Sequence, residues 1–267
     1  MQEPATHLDR IIERKRQLVA SFALPMPRRP RRRPATRGSF IDALRNDHVS
    51  VIAEVKPRSP SKGDLWPLER AVPLAREYAA AGASAVSVLA DEEFFGGSPG
   101  LVAEIAADAQ VTVPVLYKDF VIDLVQVPLA YASGADGLLV IVRALDDGRL
   151  RRITDAAREL GLDPLHECFT EQDIERALAV DADLIGINNR DLQTFDVDFE
   201  RSARLRSLVP DGVVTVSESG LATTTDVELV AKHGFDACLV GEALLTSADV
   251  FSAVAAMCSV PREKVRA

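Results

Sequence analysis

The chain has 267 residues, 47% of them hydrophobic, and a formal net charge of −9 at pH 7. This length suits one large core, since α/β barrels commonly reach it as a single domain, and the acidic balance disfavours nucleic acid as the main partner. No apolar stretch approaches the roughly 18 to 20 residues that span a bilayer, and the start MQEPATHLDRIIERKRQL is charged rather than signal-like, so we expect a cytoplasmic protein without membrane contact.

Residues 1–50 precede the regular part of the sequence and are predicted to form a helical N-terminal extension. The stretch HLDRIIERKRQLVASF has helical spacing, and SFIDALRND at 39–47 indicates a second short helix with Ser39 as its cap. Between them, PRRPRRRPATR from Pro27 to Arg37 is basic and rich in proline. It contains no aromatic residue on which a base could stack, so a solvated, stiff linker is favoured over a nucleic-acid site. Such an extension can cover one mouth of a barrel.

From about residue 50 the sequence repeats one pattern: a short β-branched apolar run, a polar or glycine-rich turn, and an alanine-rich amphipathic stretch. Strands that alternate with helices pair in parallel. Eight such units predict a (β/α)8 TIM barrel over residues 51–267, whereas a doubly wound sheet usually has fewer strands and a GxGxxG turn, which this sequence lacks. The predicted strands are VIAEVK (51–56), AVSVLA (85–90), VPVLYKD (113–119), GLLVIV (137–142), PLHECF (164–169), LIGINN (184–189), VVTVSES (213–219) and ACLVGEAL (237–244).

Polar residues that a buried strand does not need lie at the carboxyl ends of these strands, where barrels carry their active sites. Alternation along each strand points Glu54, Lys56, Lys118 and Glu167 into the barrel together. A single charge there is often solvated or paired with a neighbouring helix. Two lysines and two glutamates in phase on three strands instead favour a catalytic pocket, in which burial and neighbouring charges shift pKa values. The other polar residues at these ends are Asp119, Asn188, Asn189, Arg190, Glu218 and Ser219.

Several reactive residue types near this pocket are expected to pack rather than to react. His166 and Tyr117 alternate with the inward residues and therefore point outward at the helices. The three cysteines, Cys168, Cys238 and Cys258, form no CxxC pair and are odd in number, which argues against a disulfide framework and a zinc site. Cys168 and Cys238 are interpreted as small core residues.

Two loop features suggest how the pocket holds a ligand. Ser219 and Gly220 lie between the seventh strand and a helix, and Gly241 ends the eighth strand. These two loops are the usual phosphate site of a TIM barrel, because their backbone N–H groups converge there. Phe95 and Phe120 lie in loops after the second and third strands, where they either pack as ordinary core or hold a flat ring.

The motifs of this chain resemble the indole-3-glycerol phosphate synthase family. The resemblance covers about residues 40 to 250 and rests on AEVKPRSPSKG, DEEFFGGS, PVLYKDF, LIGINNRDLQTFDVD, VSESG and LVGEAL, in that order. It implies ring closure of 1-(2-carboxyphenylamino)-1-deoxyribulose 5-phosphate, with loss of CO₂ and water, to give indole-3-glycerol phosphate for tryptophan synthesis. It also implies a phosphorylated small-molecule substrate, no cofactor, no metal, and a monomer or at most a weak dimer.

The resemblance also implies roles for individual residues. Lys118 is the general acid for attack of the aromatic ring on the carbonyl, Glu167 and Lys56 serve the later dehydration, and Glu54 orients Lys56. The rest of the polar wall is Asn188, Arg190, Glu218 and Ser219. The phosphate contacts are Ser59, Gly220 and Gly241, and the apolar slot for the anthranilate ring is Phe95, Phe120, Leu139 and Leu192.

Two segments depart from the family pattern. The fifth strand ends in HECF where an apolar β-branched residue usually precedes the glutamate, and LVQVPLAYASGAD carries Pro128 inside a helical stretch. These changes predict an irregular third helix, and they leave open a copy that serves a specialised pathway requiring an indole precursor.

Three rival interpretations remain open on sequence alone. A phosphoribosylanthranilate isomerase uses a cysteine and an aspartate, but Cys168 faces outward and Cys238 lies at the wrong end of its strand. A class I aldolase would use Lys118 as a Schiff-base nucleophile. A catalytically silent barrel retained as a binding subunit is the third, and the intact polar wall weighs against it.

Overall fold

The computed structural model describes residues 7–21, 38–60, 62–190 and 197–263. Eight parallel strands close into a barrel, each followed by at least one helix, which confirms the predicted (β/α)8 fold. The strands are β1 Ser50–Val55, β2 Ala85–Leu89, β3 Val115–Lys118, β4 Gly137–Ile141, β5 Asp163–Cys168, β6 Leu184–Asn188, β7 Val214–Glu218 and β8 Ala237–Val240. The helices are α1 His7–Ala20, α2 Ala71–Ala80, α3 Glu92–Phe95, α4 Pro99–Ala107, α5 Gln126–Ala132, α6 Asp147–Glu159, α7 Glu171–Leu178, α8 Phe199–Arg206, α9 Thr224–Lys232, α10 Glu242–Leu245 and α11 Val250–Cys258.

Alternation along the strands divides the core into two layers. Val51 and Ala53 of β1 pack in the outer layer against the helices, whereas Ile52 packs inside the barrel with Leu116 and Leu165. This arrangement confirms the period-2 pattern of the sequence. It also confirms the outward direction of His166, Tyr117 and Cys168, which are buried on the helix side of the sheet. Cys238 is buried in the same outer layer.

The amino-terminal mouth of the barrel is filled by Phe40 and Leu44. The ring of Phe40 lies against Gly137, the first residue of β4, where a Cβ in place of the glycine hydrogen would be 3.0 Å from the ring. The predicted helix over 39–47 is wrong in extent, because only Asp42–Leu44 forms a single 3₁₀ turn. Asp163 at the start of β5 accepts a hydrogen bond from Ser39 Oγ at 2.7 Å and from the Ile41 N–H at 3.1 Å, so the turn is tied to the sheet instead of continuing as a helix.

Helix α1 lies at the opposite, carboxyl-terminal mouth. Its buried Lys15 contacts Asp91 at 3.0 Å and Asp119 at 2.6 Å, and these aspartates follow β2 and β3. The described parts of the N-terminal extension therefore contact both ends of the barrel, where the sequence predicted one. The basic stretch 27–37 lies outside the described residues.

Helix α5 is short but regular, so the expected disturbance by Pro128 is wrong. Pro128 is the third residue of the helix, a position whose N–H would have no partner within the helix. Gln126 fixes the start, because its side chain accepts hydrogen bonds from the Ile122 N–H and Asp123 N–H and donates to the carbonyl of Phe120.

Candidate active site

The charged residues of β1 and β3 meet at the carboxyl-terminal mouth. Lys56 Nζ lies 2.5 Å from Glu54 Oε1, and Lys118 Nζ lies 3.5 Å from Glu54 Oε2. Glu54 is buried, and each lysine side chain keeps about a fifth of its surface exposed. One carboxylate therefore holds two ammonium groups at the edge of the pocket, which explains why an acid and a base lie two residues apart at the end of β1.

The far side of the mouth carries two further carboxylates. Asn188 of β6 donates from Nδ2 to Glu167 Oε1 at 2.8 Å, and the Arg190 N–H donates to Asn188 Oδ1 at 3.0 Å. Glu218 ends β7 and is buried. Its Oε1 lies so close to Gly186 that a Cβ there would be only 1.9 Å away. Glycine at 186 is thus what allows the Glu218 carboxylate into the barrel.

The charges of the mouth control one another's protonation. Burial alone would raise the pKa of Glu54, but Lys56 and Lys118 lower this pKa to about 2. Burial opposes the charge on Lys118, yet Glu54, Glu167 and Glu218 more than offset it and hold the pKa of Lys118 above its usual value. Burial and the negative charge of Glu167 raise the pKa of Glu218 to about 8, although Lys118 acts in the other direction. The mouth therefore contains an ammonium that is charged at neutral pH beside a carboxyl group that is neutral below about pH 8.

The predicted phosphate contacts lie beside this cluster. Ser219 has a φ of 71°, a left-handed conformation that is unusual for a residue with a side chain and is often retained at functional sites. Gly220 follows with a φ of 81°. At Gly241 a Cβ would lie 2.8 Å from Glu54 Oε1 and 3.3 Å from Lys56 Nζ, so glycine leaves room for the Glu54–Lys56 pair beside this loop. Ser59 lies in a hairpin formed by Arg58–Ser59 and Gly63–Asp64, directly after β1.

The predicted apolar slot is partly assembled. The rings of Phe95 and Phe120 have centroids 5.9 Å apart, and Leu139 is buried inside the barrel. Leu192 lies outside the described residues. The structure thus brings two of the predicted slot aromatics into contact above the inner core.

Lys15 supports this slot and was missed by the sequence analysis. Asp91, one of its partners, accepts a hydrogen bond from the Phe94 N–H at 2.7 Å, and Asp119, the other, accepts one from the Phe120 N–H at 2.8 Å. Burial disfavours the charged form of Lys15, but the two aspartates offset burial and raise its pKa. A lysine within an amphipathic helix is ordinarily solvated, so only the long-range contact between residue 15 and the loops reveals its role.

Two further residues of the mouth carried only weak sequence signals. Ser87 pairs in register with Glu54, faces inward, and its buried Oγ has no hydrogen-bond partner among the described residues. The lone polar residue in AVSVLA, at the inward phase, was the signal. Gly186 was the other, a glycine inside the otherwise β-branched run LIGINN.

Within the described ranges, no three His, Cys, Asp or Glu side chains are grouped as metal ligands would be. The helices of those same ranges include none that is long and apolar enough to cross a membrane.

Comparison with known proteins shows which family the chain resembles. The family model described as indole-3-glycerol phosphate synthase matches residues 8–257. An indole-3-glycerol phosphate synthase of Nocardioides sp. is 49% identical over 212 residues, which cover 79% of this chain and 80% of the relative. That of Chlorobium phaeobacteroides is 41% identical over 255 residues, which cover 92% of this chain and 96% of the relative.

Solved structures of low sequence identity share the fold. The 3-hexulose-6-phosphate synthase of Salmonella typhimurium superposes with a TM-score of 0.64 at 14% identity, over 79% of this chain and 97% of that chain. At this identity the likeness concerns the barrel and not its chemistry.

Proposed function

The chain belongs to the indole-3-glycerol phosphate synthase family, and we propose that the charged cluster at its barrel mouth carries out that family's reaction through the residue roles given below. The activity is that of a carboxy-lyase of tryptophan biosynthesis. Its substrate is a phosphorylated small molecule, 1-(2-carboxyphenylamino)-1-deoxyribulose 5-phosphate.

Ring closure needs a proton donor at the carbonyl oxygen. The aromatic carbon that bears the carboxylate attacks the ribulose carbonyl, whose oxygen becomes a hydroxyl, and CO₂ then leaves the ring carbon. Lys118 is the proposed donor. The observation that carries the proposal is the position of its ammonium among Glu54, Glu167 and Glu218, which keeps it charged until the substrate carbonyl develops negative charge.

Dehydration follows ring closure, and it requires a proton for the departing hydroxyl and a base for the proton lost from the ring system. We assign these tasks to Glu167 and Lys56, on opposite sides of the mouth. Glu54 orients Lys56 through the 2.5 Å contact, and Asn188 orients Glu167 through the 2.8 Å hydrogen bond. Glu218 and Ser219 complete the wall beside them.

The two ends of the substrate fit different parts of the mouth. The phosphate is assigned to Ser59, Gly220 and Gly241, the last of which lies beside Lys56, and the anthranilate ring to Phe95, Phe120, Leu139 and Leu192. Arg190, whose N–H donates to Asn188 Oδ1, is assigned to substrate binding.

The experiment that tests the proposal is a turnover assay without added metal. Purified protein is mixed with the carboxyphenylamino-deoxyribulose phosphate, and the fluorescence of the indole product is followed. Product formation at ordinary enzyme rates, on the order of 1 to 10³ per second, supports the proposal. Folded protein that binds the substrate without turnover would indicate a silent binding barrel instead.

The aldolase alternative requires the opposite charge state of Lys118. A Schiff-base nucleophile must be neutral, whereas the surrounding carboxylates favour the charged form of Lys118 and hold its pKa above the usual value. Borohydride reduction in the presence of a ketose phosphate should leave the mass of the protein unchanged. The isomerase alternative needs a cysteine in the mouth, and both Cys168 and Cys238 lie in the outer layer.

A cytoplasmic location and a monomeric state, with at most a weak dimer, are part of the same proposal. Buried free thiols at Cys168 and Cys238 suit a reducing compartment. Service to a specialised indole-derived pathway, rather than to tryptophan alone, stays a proposal that would be tested by the growth requirement of a strain lacking this chain.

A further inference from the structure

A salt bridge joins the two loops that carry the proposed phosphate contacts Ser59 and Gly241. Lys62, in the turn of the hairpin after β1, contacts the carboxylate of Glu242, which follows the neighbouring strand β8. Its own N–H donates to Ser59 Oγ at 3.2 Å, and Glu242 directly follows Gly241. Lys62 is therefore attached at one end to Ser59 and at the other to the residue beside Gly241.

The partner of Lys62 is an unexpected residue type beside a phosphate site. A carboxylate next to an anion-binding loop repels a phosphate ester, and Glu242 is such a carboxylate. The mouth already holds Glu54 and Glu167 against the ammonium groups of Lys56 and Lys118, beside the protonated Glu218. A substrate with a carboxylate and a phosphate dianion adds further negative charge, so binding calls for another cation near Gly241.

Lys62 can exchange Glu242 for another anion with little loss of protein stability. The side chains are 57% and 36% exposed, and an ion pair of that kind stabilises a protein only weakly. A phosphate dianion carries twice the charge of a carboxylate and three acceptor oxygens, so it competes well for the same ammonium.

We propose that Lys62 is a binding residue for the substrate phosphate, and that Glu242 holds its ammonium at the rim until the phosphate takes it over. The inference rests on the proposed function and extends it, because it adds a second cation, beside Lys56, to the phosphate site of Ser59, Gly220 and Gly241. Glu242 then acts as a competitor that weakens the binding of free anions.

The test compares Lys62→Gln with wild-type protein, using inorganic phosphate as the probe beside the full substrate. We expect the KM for the substrate and the inhibition constant of phosphate each to rise about tenfold, with kcat changed less than about twofold, because binding and not chemistry is affected. Lys62→Arg should restore most of both constants. Glu242→Gln should lower the inhibition constant of phosphate about threefold.

Arg58 supplies the matched control, since it forms an exposed ion pair with Asp64 at 2.8 Å within the same hairpin. Arg58→Gln should change both constants less than about twofold. Equal losses in Arg58→Gln and Lys62→Gln would assign the effect to hairpin order and overturn the proposal. Weaker phosphate binding in Glu242→Gln would overturn it as well, since the bridge itself would then be what matters.

Calorimetric titration with inorganic phosphate separates this inference from the proposed function. If wild-type protein binds phosphate and Lys62→Gln binds it about tenfold more weakly, the inference stands even where no indole product forms. If wild-type protein turns over substrate while Lys62→Gln has unchanged constants, the function stands and the inference is wrong. Absence of phosphate binding by wild-type protein would also reject it.

Discussion

Glu218 is a residue of the mouth whose protonation depends on the closed barrel. It is 1% exposed, and its pKa of about 8 in the folded protein lies above the ordinary value of 4.5. Between these two pH values the folded protein binds a proton that the unfolded chain releases. The stabilising contribution of this protonation is complete below about pH 4.5 and is lost as the pH rises through about 8.

The Glu218→Gln variant should therefore remove a decline of stability with pH. We expect the free energy of unfolding of the wild type to fall, relative to the variant, by up to about 1.4 kcal/mol for each pH unit inside this window. Urea unfolding of both proteins at pH 5, 7 and 9 measures the difference. Shared groups that do not interact with Glu218 cancel, including His166, whose pKa burial lowers to about 4. If the free energies of unfolding of the two proteins changed with pH in parallel, Glu218 would ionise outside this pH window.

Gly186 is a position where one added methyl group should disturb the pocket directly. Alanine there places Cβ 1.9 Å from Glu218 Oε1, so the carboxylate must leave its position. We expect Gly186→Ala to lower the free energy of unfolding by about 1–3 kcal/mol and kcat at least about tenfold. Urea unfolding and steady-state kinetics measure the two effects.

Gly100 in α4 is the control for this substitution. A Cβ at this position would meet only Ser98 Oγ, at 3.4 Å. Gly100→Ala should leave kcat unchanged and alter stability by less than about 1 kcal/mol, in the stabilising direction. Unaltered kinetics in Gly186→Ala would contradict the placement of Glu218 in the pocket.

At the scale of elements, the segment 38–45 acts as a plug for the amino-terminal mouth. Phe40 is fully buried inside the barrel, and the neighbouring turn is tied to Asp163. Phe40→Ala should lower the free energy of unfolding by about 3–5 kcal/mol, since it removes a buried ring and leaves a cavity among apolar side chains. Leu68→Ala, at a side chain 54% exposed, should change it by less than about 0.5 kcal/mol. Similar small losses in both variants would show that the plug is not part of the core.

The strands could be predicted from the sequence because each is a short apolar run with a period of two. The conformation of segment 39–47 could not be predicted, because it depends on Asp163, which lies 124 residues from Ser39. Pro128 misled for a local reason: its effect depends on where the helix begins, and the Gln126 side chain sets that start. The predicted eighth strand over 237–244 is too long, because α10 begins at Glu242 and β8 ends at Val240.

At the scale of the whole molecule, the closed barrel gathers residues that lie far apart in the chain. Inward phase was enough to predict that Glu54, Lys56, Lys118 and Glu167 share one pocket. Alternation along a strand gives the direction of a side chain but not how far it extends. The approach of Glu218 to Gly186 and the contacts of Lys15 with two loops were therefore not predictable. The extension joins both mouths to the same barrel, with Phe40 at one end and Lys15 at the other.

The central claim is that Lys118 donates the proton for ring closure. The most direct measurement is kcat for indole formation by Lys118→Met, beside a fluorescence titration of substrate binding by the same variant. We expect kcat to fall about a thousandfold or more while binding stays measurable, because a general acid acts mainly in the transition state. A kcat within about tenfold of the wild type would contradict the account and remove Lys118 from this role.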